Sequence, residues 1–148
     1  LIPQINQFIR EKRRYKLAIS LNASNDKIRN KIMPINKKWP VIDLINSGKI
    51  YSNQKKRLVM FEFVLLKGIN DSKEDALELA QLLKGVPCKI NLIPYNEIEG
   101  EYQRPNKKTL KQFSEILHQN RDEYRVLTRW SKGQDISAGC GQLAGKKI

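Results

Sequence analysis

Apolar residues along this chain fall into runs of two kinds, and their alternation predicts the fold. Ile2, Ile5, Phe8 and Ile9 recur at helical spacing, which predicts an opening helix over residues 1–14 whose basic end, Lys12, Arg13 and Arg14, suits the helix dipole. The short apolar run KLAISL over 16–21 predicts a strand, and the turn and cap formers Asn22, Ser24, Asn25 and Asp26 follow it at once. Asp26 is expected to cap a short helix running through Met33. Pro34 stops that helix, and Pro40 fits the first turn of a second one reaching about Ser52. The run RLVMFEFVLL over 57–66 is almost continuously apolar, as expected of a strand covered on both faces in a parallel sheet.

Glu62 interrupts that run. A carboxylate there needs either a basic partner or a solvated, substrate-side position, because burying it alone is costly. Asn70, Asp71 and Ser72 with Asp75 resemble a capping box, and Ala76, Leu77, Ala80 and Leu83 line one face of the helix that Gly85 closes. The segment CKINLIP, Cys88 to Pro94, reads as a third strand with Tyr95 and Asn96 just past its end. A polar loop over 97–105 leads to a helix over 107–119 with Leu110, Phe113 and Leu117 inward. His118, the single histidine, sits in that helix's last turn, where a dipole contact explains it. Tyr124 to Trp130 reads as a fourth strand. Strands alternating with helices predict an α/β fold of parallel strands joined by right-handed crossovers, either an open sheet or part of a (β/α) barrel.

The 148 residues suit one domain, assigned to 1–148. The chain opens on Leu1 and enters a helix without a preceding strand, so it reads as a piece of a longer protein and the domain as incomplete. No apolar run approaches the length of a membrane span and no signal peptide is recognisable, so a soluble, cytoplasmic protein is expected. A formal charge of +13, from 28 basic and 15 acidic residues, favours an anionic partner, RNA first; a generally lysine-rich proteome is the alternative. The two cysteines, Cys88 and Cys140, lie too far apart for a metal motif and are expected to be free thiols. Cys88 opens a strand and reads as a small hydrophobe.

Candidate chemistry gathers in two places. In the stretch SKGQDISAGCGQLAG, Ser131 to Gly145, Cys140 stands between Gly139 and Gly141, flanked by Arg129, Lys132, Lys146 and Lys147. Little bulk guards its sulfur, and nearby positive charge raises thiolate content. From spacing alone it is either a nucleophile or an idle thiol in a tail. Ser20 and Asn22 close the first strand and Asn96 follows the third, and ligands of parallel sheets and barrels lie beyond the C-terminal strand ends. Their alternative role is capping and turn formation.

The run GQDISAGCGQLAG resembles the C-terminal signature of the radical-SAM rRNA adenine methylases, the RlmN and Cfr group. LAISLNASNDKIRNKIMPINKKWP, GINDSKEDALELAQLLKG and VPCKINLIPYN resemble the same family in its order and spacing. The resemblance covers the second half of the family only. It implies the C-terminal part of a partial (β/α)6 radical-SAM barrel and transfer of a methyl group from S-adenosylmethionine to carbon 2 of an adenosine in 23S rRNA, with tRNA as a further substrate. Cys140 matches the cysteine that carries the methyl group. Ser20, Leu21 and Asn22 match the segment that binds S-adenosylmethionine, as does Asn96; Asn22 departs from the family's usual histidine.

The implied cofactors are S-adenosylmethionine and a [4Fe–4S] cluster. The cluster's C-x3-C-x2-C ligands, the glycine-glutamate motif, an upstream serine, an acidic residue and the resolving cysteine are absent from these residues and are expected in a missing N-terminal half. This piece alone is therefore expected not to catalyse. The competing readings are a truncated, inactive RNA-binding remnant and an unrelated barrel enzyme acting on a phosphorylated metabolite, the latter lacking a glycine-rich phosphate loop.

Overall fold

The computed structural model describes residues 1–97 and 101–129. Helix α1 (Ile2–Arg10) precedes strand β1 (Ala18–Ser20), helix α2 (Asp26–Ile32), a short 3-10 turn (Pro34–Lys37) and helix α3 (Val41–Lys55). Strand β2 (Val59–Leu65), helix α4 (Lys73–Leu82), strand β3 (Cys88–Pro94), helix α5 (Lys107–Gln119) and strand β4 (Arg125–Thr128) follow. The strands form one parallel sheet in the order β1-β2-β3-β4.

Burial alternates strictly along β2 and β3. Val59, Phe61, Phe63 and Leu65, with Cys88, Ile90 and Leu92, enter the core, while Met60, Glu62, Val64, Lys89, Asn91 and Ile93 stay half-exposed. Leu44 and Tyr51 of α3, Ala76 and Leu79 of α4, and Leu110, Phe113 and Leu117 of α5 pack in that same core, and the Phe63 and Phe113 rings stand 5.6 Å apart. The helices therefore cover one face of the sheet, and the other is uncovered among the described residues. Sequential strand order with helices on one side is the arrangement of a barrel wall; a doubly wound sheet reverses its order and is covered on both sides.

Several expected elements are corrected. Strand β2 is covered on one face only, because its apolar run includes Met60 and Val64, which are half-exposed on the open side. Helix α1 stops at Arg10, before the basic cluster. Glu11 turns extended there, with ψ 141°, its carbonyl accepts from the Lys55 ammonium of α3, and residues 12–14 have no apolar group to bury. Asn25, not Asp26, caps α2, its Oδ1 accepting from Ile28 N–H at 2.9 Å. Helix α3 runs on to Lys55 and ends on left-handed Lys56 at φ 53°. The capping box stands as expected, Ser72 Oγ accepting from Asp75 N–H at 3.0 Å while the Asp75 carboxylate accepts from Ser72 N–H at 3.1 Å.

Gly48 is where α3 touches the sheet most closely. A Cβ built there stands 2.6 Å from Cζ of the fully buried Phe61, so the ring or the helix must move. Gly48→Ala brings overpacking of about 1–3 kcal/mol against a helix-propensity gain of about 1 kcal/mol. Since the obstacle is a locked ring, the expected net loss is about 1–2 kcal/mol, seen as a lower urea midpoint at unchanged slope. An unchanged midpoint contradicts this packing.

Candidate functional site

The C-terminal edge of the sheet is built from the segments after β1, β2 and β3. Along β1 the ladder advances in steps of two: Met60 N–H donates to Leu17 O at 2.9 Å, and Leu21 N–H donates to Glu62 O at 2.9 Å. Its next rung would join Val64 N–H to Leu21 O. Instead the Asn22 side chain takes that place, its Oδ1 accepting from Val64 N–H at 2.9 Å. Leu21 O turns away to accept from Arg29 Nε at 2.7 Å. The strand ends here because a side chain replaces a carbonyl, and Asn22 adopts the left-handed conformation at φ 60°, which asparagine tolerates better than most residues.

Asn70, fully buried, fastens the next segment to the first. Its Nδ2 donates to Asn22 O at 2.9 Å and Val64 O at 2.8 Å, and its Oδ1 accepts from Leu66 N–H at 2.7 Å. Lys67 N–H donates to Gln103 O at 2.9 Å, and Tyr95 packs edge-on against Tyr102 at 6.1 Å. Sequence reading assigned Asn70 only to a helix start; its bonds back to Val64 and Leu66 and across to Asn22 appear only in the fold.

The expected site residues fare differently within this frame. Ser20 is exposed, and its position opposite Glu62 in the register puts it on the open face. Leu21 is 0% exposed, with both main-chain groups spent, so its side chain is core and offers a ligand nothing. Asn22 holds Val64 and donates from Nδ2 to Met33 Sδ at 3.3 Å, which leaves one amide proton and one lone pair. Asn96 lies two residues beyond β3, half-buried. Ser20 and Asn22 thus lie together at the C-terminal end of β1, and Asn96 stands two strands away, roughly 10 Å laterally at ordinary strand spacing. Cys140 lies outside the described residues.

Ser20, Glu62, Asn91 and Leu127 form one register row across the open face, next to the row Ala18, Met60, Lys89 and Arg125. Among the described residues the one ion pair joins Lys111 and Glu115 at 3.8 Å, so the basic partner considered for Glu62 is not found there. The row offers a hydroxyl, a carboxylate and an amide, groups that hydrogen-bond ribose hydroxyls and purine edges, and so fit a nucleoside cofactor. An iron-sulfur cluster does not fit the described residues. They contain no group of His, Cys, Asp or Glu able to hold a metal, and Cys88 is fully buried on the helix side with its thiol pushed up to about 12 by burial. A surface cavity of about 510 Å³ between α4 and α5, lined by Leu77, Lys84, Gln119 and Asp122, lies at the opposite, N-terminal end of the sheet. No helix of the described residues is long and apolar enough to cross a membrane.

No protein-family model matches the chain. It is 47% identical over 129 residues to the dual-specificity RNA methyltransferase RlmN of Desulfosudis oleivorans, covering 86% of this chain and 34% of that protein. It is 45% identical over 144 residues to the probable dual-specificity RNA methyltransferase RlmN of Dictyoglomus turgidum, covering 97% of this chain and 41% of that protein. Among solved structures it superposes on a radical SAM methyltransferase from Sphaerobacter thermophilus with TM-score 0.90 at 40% identity, covering 96% of this chain and 41% of the other. It also superposes on a domain of pyruvate-formate lyase-activating enzyme from Bacteroides vulgatus with TM-score 0.66 at 16% identity, over 86% of this chain and 74% of that one, a likeness of fold alone.

The state of Cys88 sets a pH prediction, which the Tyr124 hydroxyl reinforces. Burial first, then the charges of Cys88 and Asp122, push Tyr124 up to about 12. Both groups favour their neutral forms in the fold, so their stabilisation is fully present below the ordinary values of 9.0 and 10.0 and is lost as pH rises through about 12. Resistance to urea unfolding is therefore expected to fall progressively from about pH 9 upward. At about pH 8.5, where a free thiol is partly ionised, iodoacetamide should leave Cys88 unmodified in the folded protein and alkylate it in urea, as read by peptide mass spectrometry. Labelling of Cys88 in the native state contradicts its burial.

Proposed function

The chain belongs to the RlmN family of radical-SAM methyltransferases, corresponding to the C-terminal portion of its members, and from that premise we propose that it forms the methyl-carrying part of an RNA methyltransferase. Its substrate is an adenosine of 23S rRNA, methylated at carbon 2, with tRNA as a second substrate. The chain spans between 34% and 42% of the length of the curated relatives it matches. The activity proposed is therefore that of the whole protein, with the cluster ligands supplied by residues other than those described.

The observation that carries this reading is the sheet face left open among the described residues, where Ser20 presents a hydroxyl beside Glu62 at the C-terminal end of β1 and Asn96 follows β3 with its amide. S-adenosylmethionine supplies the methyl group. Ser20, Asn22 and Asn96 are proposed to bind it, the first through its hydroxyl and the other two through their amides. Leu21 contributes the buried anchor that holds Ser20 and Asn22 in register. Cys140 is proposed as the nucleophile that takes the methyl group as a thioether, since carbon 2 of adenine is too weakly nucleophilic to accept it by direct displacement. Glycine neighbours and flanking cations suit an accessible, ionised thiol. The formal charge of +13 supports RNA as the partner.

Cys140→Ala in the complete gene product is expected to abolish methyl transfer to RNA while S-adenosylmethionine still binds. Mass spectrometry of the wild-type protein isolated from cells should find a methyl group on the Cys140 sulfur. Turnover by the alanine variant would refute the assignment.

A further inference from the structure

The Arg29 side chain is 0% exposed, yet no carboxylate touches it. Its Nε donates to Leu21 O at 2.7 Å, its Nη2 to Ser20 O at 3.0 Å, and its Nη1 to Asn36 Oδ1 at 2.9 Å and Trp39 O at 3.4 Å. The nearest acid in this network, Asp26, acts through Asn36, whose Nδ2 donates to Asp26 Oδ1 at 2.9 Å. A buried charge of this kind is a poor way to fill space, because an apolar side chain of similar volume avoids the desolvation cost. What a guanidinium does here that no apolar group can do is bind two successive main-chain carbonyls, those of Ser20 and Leu21. Successive carbonyls of a strand point to opposite sides, so their convergence on one group requires the chain to turn at this point.

We infer that Arg29 is the positioning residue of the cofactor segment, fixing the carbonyls of Ser20 and Leu21 so that the Ser20 hydroxyl faces the ligand on the open side of the sheet. This rests on the cofactor reading of Ser20 given above. Arg29 itself touches no ligand, since four of its N–H bonds are directed to protein acceptors and it lies beneath the segment. Its effect is on geometry: without it Leu21 O is free to return to the ladder and compete with Asn22 for Val64 N–H, which rotates the segment.

A double-variant cycle separates positioning from plain stabilisation. S-adenosylmethionine is titrated calorimetrically into the complete gene product after cluster reconstitution, using the wild type, Arg29→Lys, Ser20→Ala and the pair. Each single change is expected to weaken binding about tenfold, the worth of a hydrogen bond involving a charged group, and the pair no more than the weaker single variant. Ser52→Ala serves as the stability control. It removes the partner of Val59 N–H, 2.9 Å away at the other end of β2, and is expected to lower the melting temperature without changing affinity.

Asn36→Ala, which frees one end of the guanidinium, runs in parallel and should show the same coupling to Ser20 should Arg29→Lys fail to fold. Additive losses in the cycles, wild-type affinity in Arg29→Lys, or an equal affinity loss in Ser52→Ala would each overturn the proposal. Absence of binding by the wild-type protein would remove the cofactor reading itself, and the proposal with it.

Discussion

Two parallel strands cannot be joined by a tight turn; the chain must travel back the length of the sheet, and the right-handed twist of the strands sends that return to one side. In this protein each return passes over the same face, because the strand order runs β1-β2-β3-β4 without reversal. The alternation along β2 and β3 follows from that constraint. Phe61, Phe63, Ile90 and Leu92 are buried in the core with the helices, and Glu62, Lys89 and Asn91 are half-exposed on the other face. A face without a helical cover can carry carboxylates and amides, and the same geometry that completes the core therefore reserves a surface for polar chemistry.

The open face alone does not make a site; its edge must be held still. Three polar side chains do this, Arg29 and Asn70 buried and Asn22 half-buried, by bonds that tie separate segments together. Asn22 substitutes for a carbonyl in the ladder, Asn70 gathers the main chain of β2 and of the β1 exit, and Arg29 draws two carbonyls toward the helix layer. No buried side-chain polar atom among the described residues lacks a partner. Fully satisfied networks of this kind in a low-dielectric interior are rigid, since loosening any member strands another. Ser24 Oγ and Asn25 Nδ2, both donating to Glu78 Oε2 at 2.8 Å, extend the same bracing from the β1 exit to α4.

Elements decided by local pattern were legible in the sequence. The strand Cys88–Pro94 and the helix Lys107–Gln119 stand where their periodicities put them, and the Ser72 capping box declares itself within four residues. What was not legible depends on partners far along the chain. The apolar run of β2 reads as doubly covered, since Met60 and Val64 look like core residues and only topology reveals that their face is open. Ser20, Asn22 and Asn96 were readable as strand-end residues, whereas Arg29 and Asn70 were not readable as their supports. An arginine in a short polar helix ordinarily points to water. Nothing in the stretch NDKIRNKI distinguishes Arg29 from its neighbours until Asn36, Trp39 and the end of β1 are brought around it.

The asparagine at position 22, where the resemblance leads to a histidine, is understood from the same ladder. Its structural duty is to accept from Val64 N–H through an atom two bonds beyond Cβ, Oδ1 at 2.9 Å. The Nδ1 of an imidazole stands the same two bonds beyond Cβ and accepts a hydrogen bond when the proton resides on Nε2. The two side chains are therefore interchangeable at the bond that ends β1, and the fold does not discriminate between them there. They differ farther out, since an imidazole carries its second nitrogen one bond farther from Cβ than the Nδ2 of asparagine, which here donates to Met33 Sδ at 3.3 Å. An asparagine at this position thus keeps the bond that ends β1, and under the cofactor reading proposed above it would leave more of the ligand contact to the hydroxyl of Ser20.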